Sequence, residues 1–315
     1  MSAIGASTLL DAGSAGSVRP SGGGVGHRGV VAARRLLRSS RMVVGVVLLV
    51  FFVLVALVGP HLVGNPNAFV GPSMAGPSAR FWLGTTMPGQ NIFYQLVDST
   101  SGTLEVGFVA GALATLVSVV IGIGGGFVGG YIDEILALFS NVILIIPGLP
   151  LIIVVASYVR SASLLPTILI IAFTSWAGYA RVLRGQTLSI RNRDYVLAAR
   201  VAGEKTWRII FVEILPSELA VIVSNFIFMV IFAILTQSTL AFLGIGDLST
   251  LTWGNMLNVA NNDEALTSGA WWWFVPPGLC IALVGTALAL INFGLDEMLN
   301  PRLRVYKVSK ARRKG

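Results

Sequence analysis

The chain has 315 residues, 55% of them hydrophobic and only 11% charged, with a mean hydropathy of +0.81. So little charge cannot cover a soluble globule of this size, which excludes a water-soluble enzyme or binding domain and leaves an integral membrane protein. The net charge of +8 does not point to nucleic acid, because the basic residues flank apolar runs instead of lining one soluble face.

Residues 1–41 are rich in Gly, Ser, Ala and Arg without hydrophobic periodicity and read as a disordered cytoplasmic arm. A cleaved signal peptide is not expected: the apolar run starts late, exceeds a typical h-region and lacks a small-x-small cleavage pattern. A helix needs roughly 20 apolar residues to cross about 30 Å of hydrocarbon. Six such windows occur, at 42–59, 104–128, 135–159, 164–183, 219–242 and 271–294. The expected fold class is therefore an all-α integral membrane protein with six transmembrane helices. The first helix, 42–59, precedes an external loop, 60–103, which Pro60, Pro66, Pro72, Pro77 and Pro88 punctuate. That loop either receives a partner or packs as a lid. A core of five helices, 104–299, and a basic tail, 300–315, follow.

In the second window Gly122, Gly126 and Gly130 recur on one helix face and predict close helix packing. The GxGxxG spacing of Gly124, Gly126 and Gly129 lies in an apolar span, not between a strand and a helix, so a dinucleotide site is not expected. Pro147 and Pro150 predict a kinked or locally broken third span. Asn225, Thr236, Gln237, Ser238 and Asn292 are expected to face the protein interior or a water-filled path. Trp271, Trp272 and Trp273 read as an interfacial belt at the outer end of the last span.

Arginine and lysine set the orientation. The arm, the 181–208 segment and the tail hold all of the 22 basic residues except Arg80 and Arg160. With six spans these three regions share one face, which the positive-inside rule makes cytoplasmic, with both termini inside.

No constellation carries covalent chemistry. Gly203-Glu204-Lys205-Thr206 lacks the rest of a phosphate loop. His27 and His61 flank the first span and cannot share a metal. Asp133 and Glu134 are expected in a short inner turn, and Asp296 and Glu297 near Arg302. Cys280 reads as a small buried hydrophobe. No cofactor is expected in this chain, and no catalysis.

Residues 197–216, LAARVAGEKTWRIIFVEILP, form a polar basic island that must face water. Ala198, Ala199, Ala202 and Gly203 leave little bulk on one short helix, so a partner can come close to its backbone; Trp207 and the pair Leu215-Pro216 follow. The stretch resembles the coupling loop of ATP-driven importer permeases, whose motif is Glu-Ala-Ala, three residues, Gly, nine residues, Ile, one residue, Leu-Pro. Ala198, Ala199, Gly203, Leu215 and Pro216 fall in register, with Leu197 at the Glu position and Glu213 at the Ile position. Upstream, Leu83, Gly84, Thr85 and Gly89 match a motif of the smaller permease of dipeptide and oligopeptide importers, while Thr86, Gln90 and Asn91 replace its Asp, Arg and Asp. Trp253-Gly254-Asn255-Met256, Pro277-Gly278 and Asn300-Pro301-Arg302 add to the match, which runs over roughly 83–304.

The resemblance implies a type I importer permease in the bacterial cytoplasmic membrane. Its partners would be a second homologous permease, two ATPase subunits holding ATP and magnesium at the inner face, and an external binding protein. Leu197, Ala198, Ala199 and Gly203 would approach an ATPase groove in the coupling loop, 190–216, and Leu215 and Pro216 would fix its angle to the fifth span. Peptides are the cargo this implies. The changes at Thr86, Gln90 and Asn91 favour the alternative of oligosaccharides, such as cello-oligosaccharides. A secondary transporter or channel would need ionisable residues in the spans, where they are nearly absent.

Overall fold

The computed structural model describes residues 40–158 and 163–299. Residues 1–39 of the expected arm, the expected tail, Arg160 and Arg302 lie outside the described residues, while Ser40 and Arg41 open the first helix. The elements are α1 (Ser40–Leu62), α2 (Ile92–Val128), α3 (Gly130–Ile145), α4 (Gly148–Tyr158), α5 (Leu165–Ile190), α6 (Asp194–Val201), α7 (Thr206–Ile209), α8 (Leu215–Phe242), α9 (Trp253–Asn262) and α10 (Trp271–Leu299). A five-residue π turn, Ile210–Ile214, joins α7 to α8. Among the described residues five helices are long and apolar enough to cross a membrane, and the bent pair α3–α4 brings the number to six. The chain is an all-α, multi-pass membrane protein.

α2 is the central pillar, packed against α5, α8 and α1, while α1 lies against α10. It holds 37 residues, about 55 Å at ~1.5 Å per residue, and so stands well outside an about 30 Å hydrocarbon layer. It begins twelve positions before the apolar window because Asn91 caps it, the Asn91 carboxamide oxygen accepting from Phe93 N–H at 3.0 Å. The first turns bury Gln95, Ser99, Thr100 and Thr103 against protein instead of lipid. Gly122 and Gly126 do allow close packing: a Cβ at Gly122 would lie 2.6 Å from the carbonyl of Ala180. Gly130 departs from that face. With φ of 72° and 62°, Gly129 and Gly130 turn the chain from α2 into α3.

The third span is broken rather than kinked. Ile146, which precedes Pro147, takes an extended conformation, and α4 leaves α3 at 86°. α5 runs on to Ile190 and so carries Arg181 and Arg184 inside the helix. α8 starts at Leu215, with Pro216 in its first turn. Pro216 has no N–H to offer the preceding turn and its ring crowds that turn's carbonyl, and the wide π turn lets the helix run through.

α9 is a short helix between the spans α8 and α10 that the apolar windows did not mark. Thr252 caps it, accepting from Asn255 N–H at 3.2 Å, and Trp253 is fully buried beneath. Asn225, Thr236, Gln237, Ser238 and Asn292 are all buried inside the bundle, and Gln237 donates to Thr252 Oγ1 at 3.0 Å. The three tryptophans do not form one belt: Trp271 is exposed, Trp272 sits against Gly84 of the outer loop, and Trp273 is buried.

Candidate functional site

The island folds as a short helix, a tight stop and a second helix that becomes α8. Val196 is fully buried on the underside of α6, in a cluster with Ile209, Ile214, Leu183, Ile123 and Phe127. Ala199 and Leu215 pack against that cluster, half-buried. Leu197, Ala198, Gly203 and Pro216 are exposed. The predicted residues therefore divide between an anchored face and an open one.

α6 ends in a two-bond stop: Gly203 N–H donates to Arg200 O at 3.0 Å and Glu204 N–H to Ala199 O at 3.1 Å. This geometry needs a left-handed residue after the helix, and Gly203 has φ of 77°. A Cβ on Gly203 would meet nothing within 4 Å. Its glycine is thus required by backbone conformation within this chain, a role additional to the small bulk that the sequence suggested.

Polar contacts tie the loop to the adjoining ends of the spans. Arg191 Nη1 donates to Gly126 O at 2.9 Å, and the Arg200 guanidinium lies 4.6 Å from the Phe127 ring centroid. Arg184 grips Asp133 with both arms, Nε to Oδ1 at 2.5 Å and Nη2 to Oδ2 at 2.8 Å, fastening α3 to α5. Asp133 thus belongs to the first turn of α3 and a helix-to-helix clamp, not to a free turn. Arg208 pairs with Glu204 across one turn. Between α6 and the α7–α8 helix lies a groove of about 250 Å³ walled by Ala198, Ala199, Ala202, Arg208 and Val212.

Sequence reading missed two features. Val201, Trp207 and Phe211 are 90%, 60% and 61% exposed, each next in sequence to a groove residue, and polar loops rarely expose such side chains without a partner. Of these only Trp207 was conspicuous; the signal for the others is an apolar residue inside a basic island. Glu218 is fully buried and accepts from Thr187 Oγ1 at 2.7 Å, joining α5 to α8. Its signal is a carboxylate two positions after Leu-Pro, at the start of an apolar run.

The loop between α1 and α2, expected to be external, forms a cap over one end of the bundle. Thr85 Oγ1 donates to Pro72 O at 2.6 Å and accepts from Ala75 N–H at 2.9 Å. Thr86 Oγ1 accepts from Gln90 N–H at 3.0 Å, Gln90 Oε1 accepts from Gln95 at 2.8 Å, and Asn91 caps α2. Thr86 and Asn91 are buried and Gln90 half-buried. The three departures thus serve the fold of the cap, and the inference from them to a sugar cargo has no support in their placement. Near the same end, burial pushes the Asp247 carboxyl up, but donors from Ser249 and Thr250 outweigh it and hold it below the ordinary value.

Residues 118–305, more than half of the chain, match the family described as binding-protein-dependent transport system inner membrane component. The chain belongs to this family. The permease is 34% identical over 280 residues to a dipeptide transport system permease protein of Bacillus subtilis, covering 87% of this chain and 85% of that one. It is 31% identical to an oligopeptide transport system permease protein of the same organism, covering 85% and 88%. It is 30% identical to a glutathione transport system permease protein of Pectobacterium atrosepticum, covering 73% and 75%. Membership makes this permease a transport subunit rather than an enzyme. Among the described residues no group of three or more His, Cys, Asp or Glu side chains could hold a metal ion.

Proposed function

We propose that this permease forms half of the translocation path of an ATP-binding-cassette importer for peptides. An external binding protein delivers the cargo, a second homologous permease completes the path, and two ATPase subunits at the inner face hold the ATP and magnesium. Both termini lie in the cytoplasm of a bacterial cell, and the coupling loop faces it. The peptide assignment is supported by relatives named for dipeptide, oligopeptide and glutathione transport.

The observation that carries the coupling role is the exposure of Val201 on α6 and of Trp207 and Phe211 on the helix that follows, with a groove walled by alanines between the two helices and the other side of α6 locked to the spans by Val196. An ATPase contact on that surface moves a body already joined to α8 through the continuous 206–242 helix. Leu197, Ala198, Ala199 and Gly203 form the approach side, and Leu215 and Pro216 set the junction with α8.

The test is purification of the tagged chain in mild detergent, identification of co-purifying subunits, and reconstitution with the binding protein. Di- and tripeptides should stimulate ATP hydrolysis. Stimulation by cello-oligosaccharides and not by peptides would overturn the cargo. A cysteine introduced at Thr206 should react with an impermeant reagent only from the cytoplasmic side; labelling from outside intact cells would overturn the mechanism.

A further inference from the structure

α5 carries two arginines within its membrane-crossing length, and the structure treats them differently. Arg184 is gripped by Asp133, so its charge is balanced inside the chain. Arg181 is exposed and makes no ion pair among the described residues; its Nη2 donates to the neutral Oδ1 of Asn141 at 2.5 Å. α5 has 26 residues, about 39 Å of helix at ~1.5 Å per residue, roughly 9 Å more than the hydrocarbon layer. Arg181 precedes Ile190 by nine positions, about 13 Å at ~1.5 Å per residue. Even if all the excess length projects at the inner face, Arg181 stands about 5 Å inside the hydrocarbon boundary.

The face on which Arg181 lies says what it meets. α2 occupies the side of α5 that carries Trp176, Ala180 and Thr187: Ser118 Oγ donates to Trp176 O at 2.9 Å, and Gly122 and Gly126 abut Ala180 and Thr187. Turned away from α2 are Thr174, Gly178, Arg181, Gly185 and Ser189, recurring every three or four positions and open or half-open. A lipid-facing surface in this molecule looks different: α1 exposes Val47, Phe51, Leu54 and Leu57. Threonine, glycine, arginine and serine along one line are the surface of a helix that borders water. A cavity of about 140 Å³ opens beside Arg181 where α2, α3 and α5 meet, walled by Ile121, Leu136 and Ala137 as well as by Ser140 and Asn141. At about 30 Å³ for each water of the liquid, its volume has room for a carboxylate beside Arg181.

We infer that Arg181, oriented by Asn141, is a cargo contact that takes the C-terminal carboxylate of the peptide as it passes along the water-lined face of α5. The inference rests on the peptide reading given above. Guanidinium presents a planar fork of donors that matches a carboxylate two bonds at a time, and the Asn141 bond fixes the fork while occupying one of its N–H groups. Because Asp133 cancels Arg184, the site offers one unbalanced cation to one anion. A peptide passing through must bind and leave, and a single partly solvated pair permits both.

The test uses the complete importer in proteoliposomes, with a tripeptide as free acid and as C-terminal amide, each supplied on binding protein shown separately to be loaded. The Arg181→Gln variant should lose uptake of the free acid at least about fivefold while uptake of the amide changes less than about twofold; Arg181→Lys should recover much of the acid uptake. Equal losses for acid and amide, or no loss, would overturn the carboxylate contact. In a Cys280→Ser background, Arg181→Cys in the assembled importer should react with a charged, water-soluble thiol reagent. A thiol unreactive from both sides would place this face against lipid and overturn the inference without any transport measurement. If the wild-type importer takes up neither tripeptide form, the cargo reading itself fails, an outcome distinct from a wild type that transports and a variant that does not discriminate.

Discussion

Gly203 and Gly254 are both glycines for reasons of space or backbone, and the two reasons predict different substitution patterns. Gly203 closes α6 in the left-handed region with open space around its missing side chain. A β-branched residue there costs about 1–2 kcal/mol, whereas asparagine tolerates the conformation. Gly203→Val should therefore insert normally yet lower ATP-coupled uptake on the order of tenfold, and Gly203→Asn should keep most of it; normal uptake by the valine variant would remove the loop from the mechanism. At Gly254 the obstacle is contact: a Cβ would stand 2.6 Å from Ser238 Cα and 2.9 Å from its carbonyl oxygen. Such overpacking costs roughly 1–3 kcal/mol. Gly254→Ala should lower the melting temperature of the detergent-solubilised protein by several degrees, while Gly285→Ala, which meets nothing within 4 Å, should not.

Between elements, the Asp133–Arg184 clamp is the strongest polar tie of the broken span to the rest of the bundle. Asp133 is 10% and Arg184 33% exposed at the side chain, so solvent screens part of the attraction and the pair is worth less than a fully buried one. Removing only the carboxylate leaves a cation near apolar helices; we expect Asp133→Asn to destabilise by about 1–2 kcal/mol and the double change Asp133→Leu with Arg184→Leu by less. A double-mutant cycle on melting temperatures checks this, and additive losses would mean the contact does little. The same pair shows where sequence reading stopped short. Apolar runs revealed the spans because bilayer burial demands such runs, but the arginines at 181 and 184 broke the pattern of α5 and were read as loop charges. The start of α2 was hidden for a related reason. Gln95, Ser99 and Thr103 are buried within the protein, where Gln95 donates to Gln90 and Thr103 to the Ser99 carbonyl, so they carry no lipid signature. α9 was invisible because ten residues mixing Asn with Trp and Met resemble a loop until Thr252 caps them. The proposed coupling motif rests on spacing, with each small residue at a fixed offset, whereas the exposure of Val201 and Phe211 needed the fold to show it.

For the whole molecule, the decisive surface is one that no described part of this chain covers. Trp207 and Phe211 stand one turn apart on the helix that continues into α8, and Val201 is exposed at the end of α6. Burying an aromatic or branched side chain in a partner is worth roughly 1.5–3 kcal/mol each before the costs of association. Truncation of central aromatic contacts typically costs about 2 kcal/mol or more. The double change Trp207→Ser with Phe211→Ser should therefore weaken retention of the ATPase subunits about a hundredfold, while leaving membrane insertion and melting temperature near wild type because neither side chain packs inside the bundle. The measurement is ATPase retained on the tagged permease across a dilution series, alongside thermal unfolding of the permease alone. Aromatic rings at this height could otherwise rest in the headgroup layer, and that arrangement makes the opposite forecast: full ATPase retention with a permease whose stability depends on lipid. Because the loop is locked to α5 through Val196 and Leu183 and joined without a break to α8, a partner lost from this surface loses its hold on both helices at once.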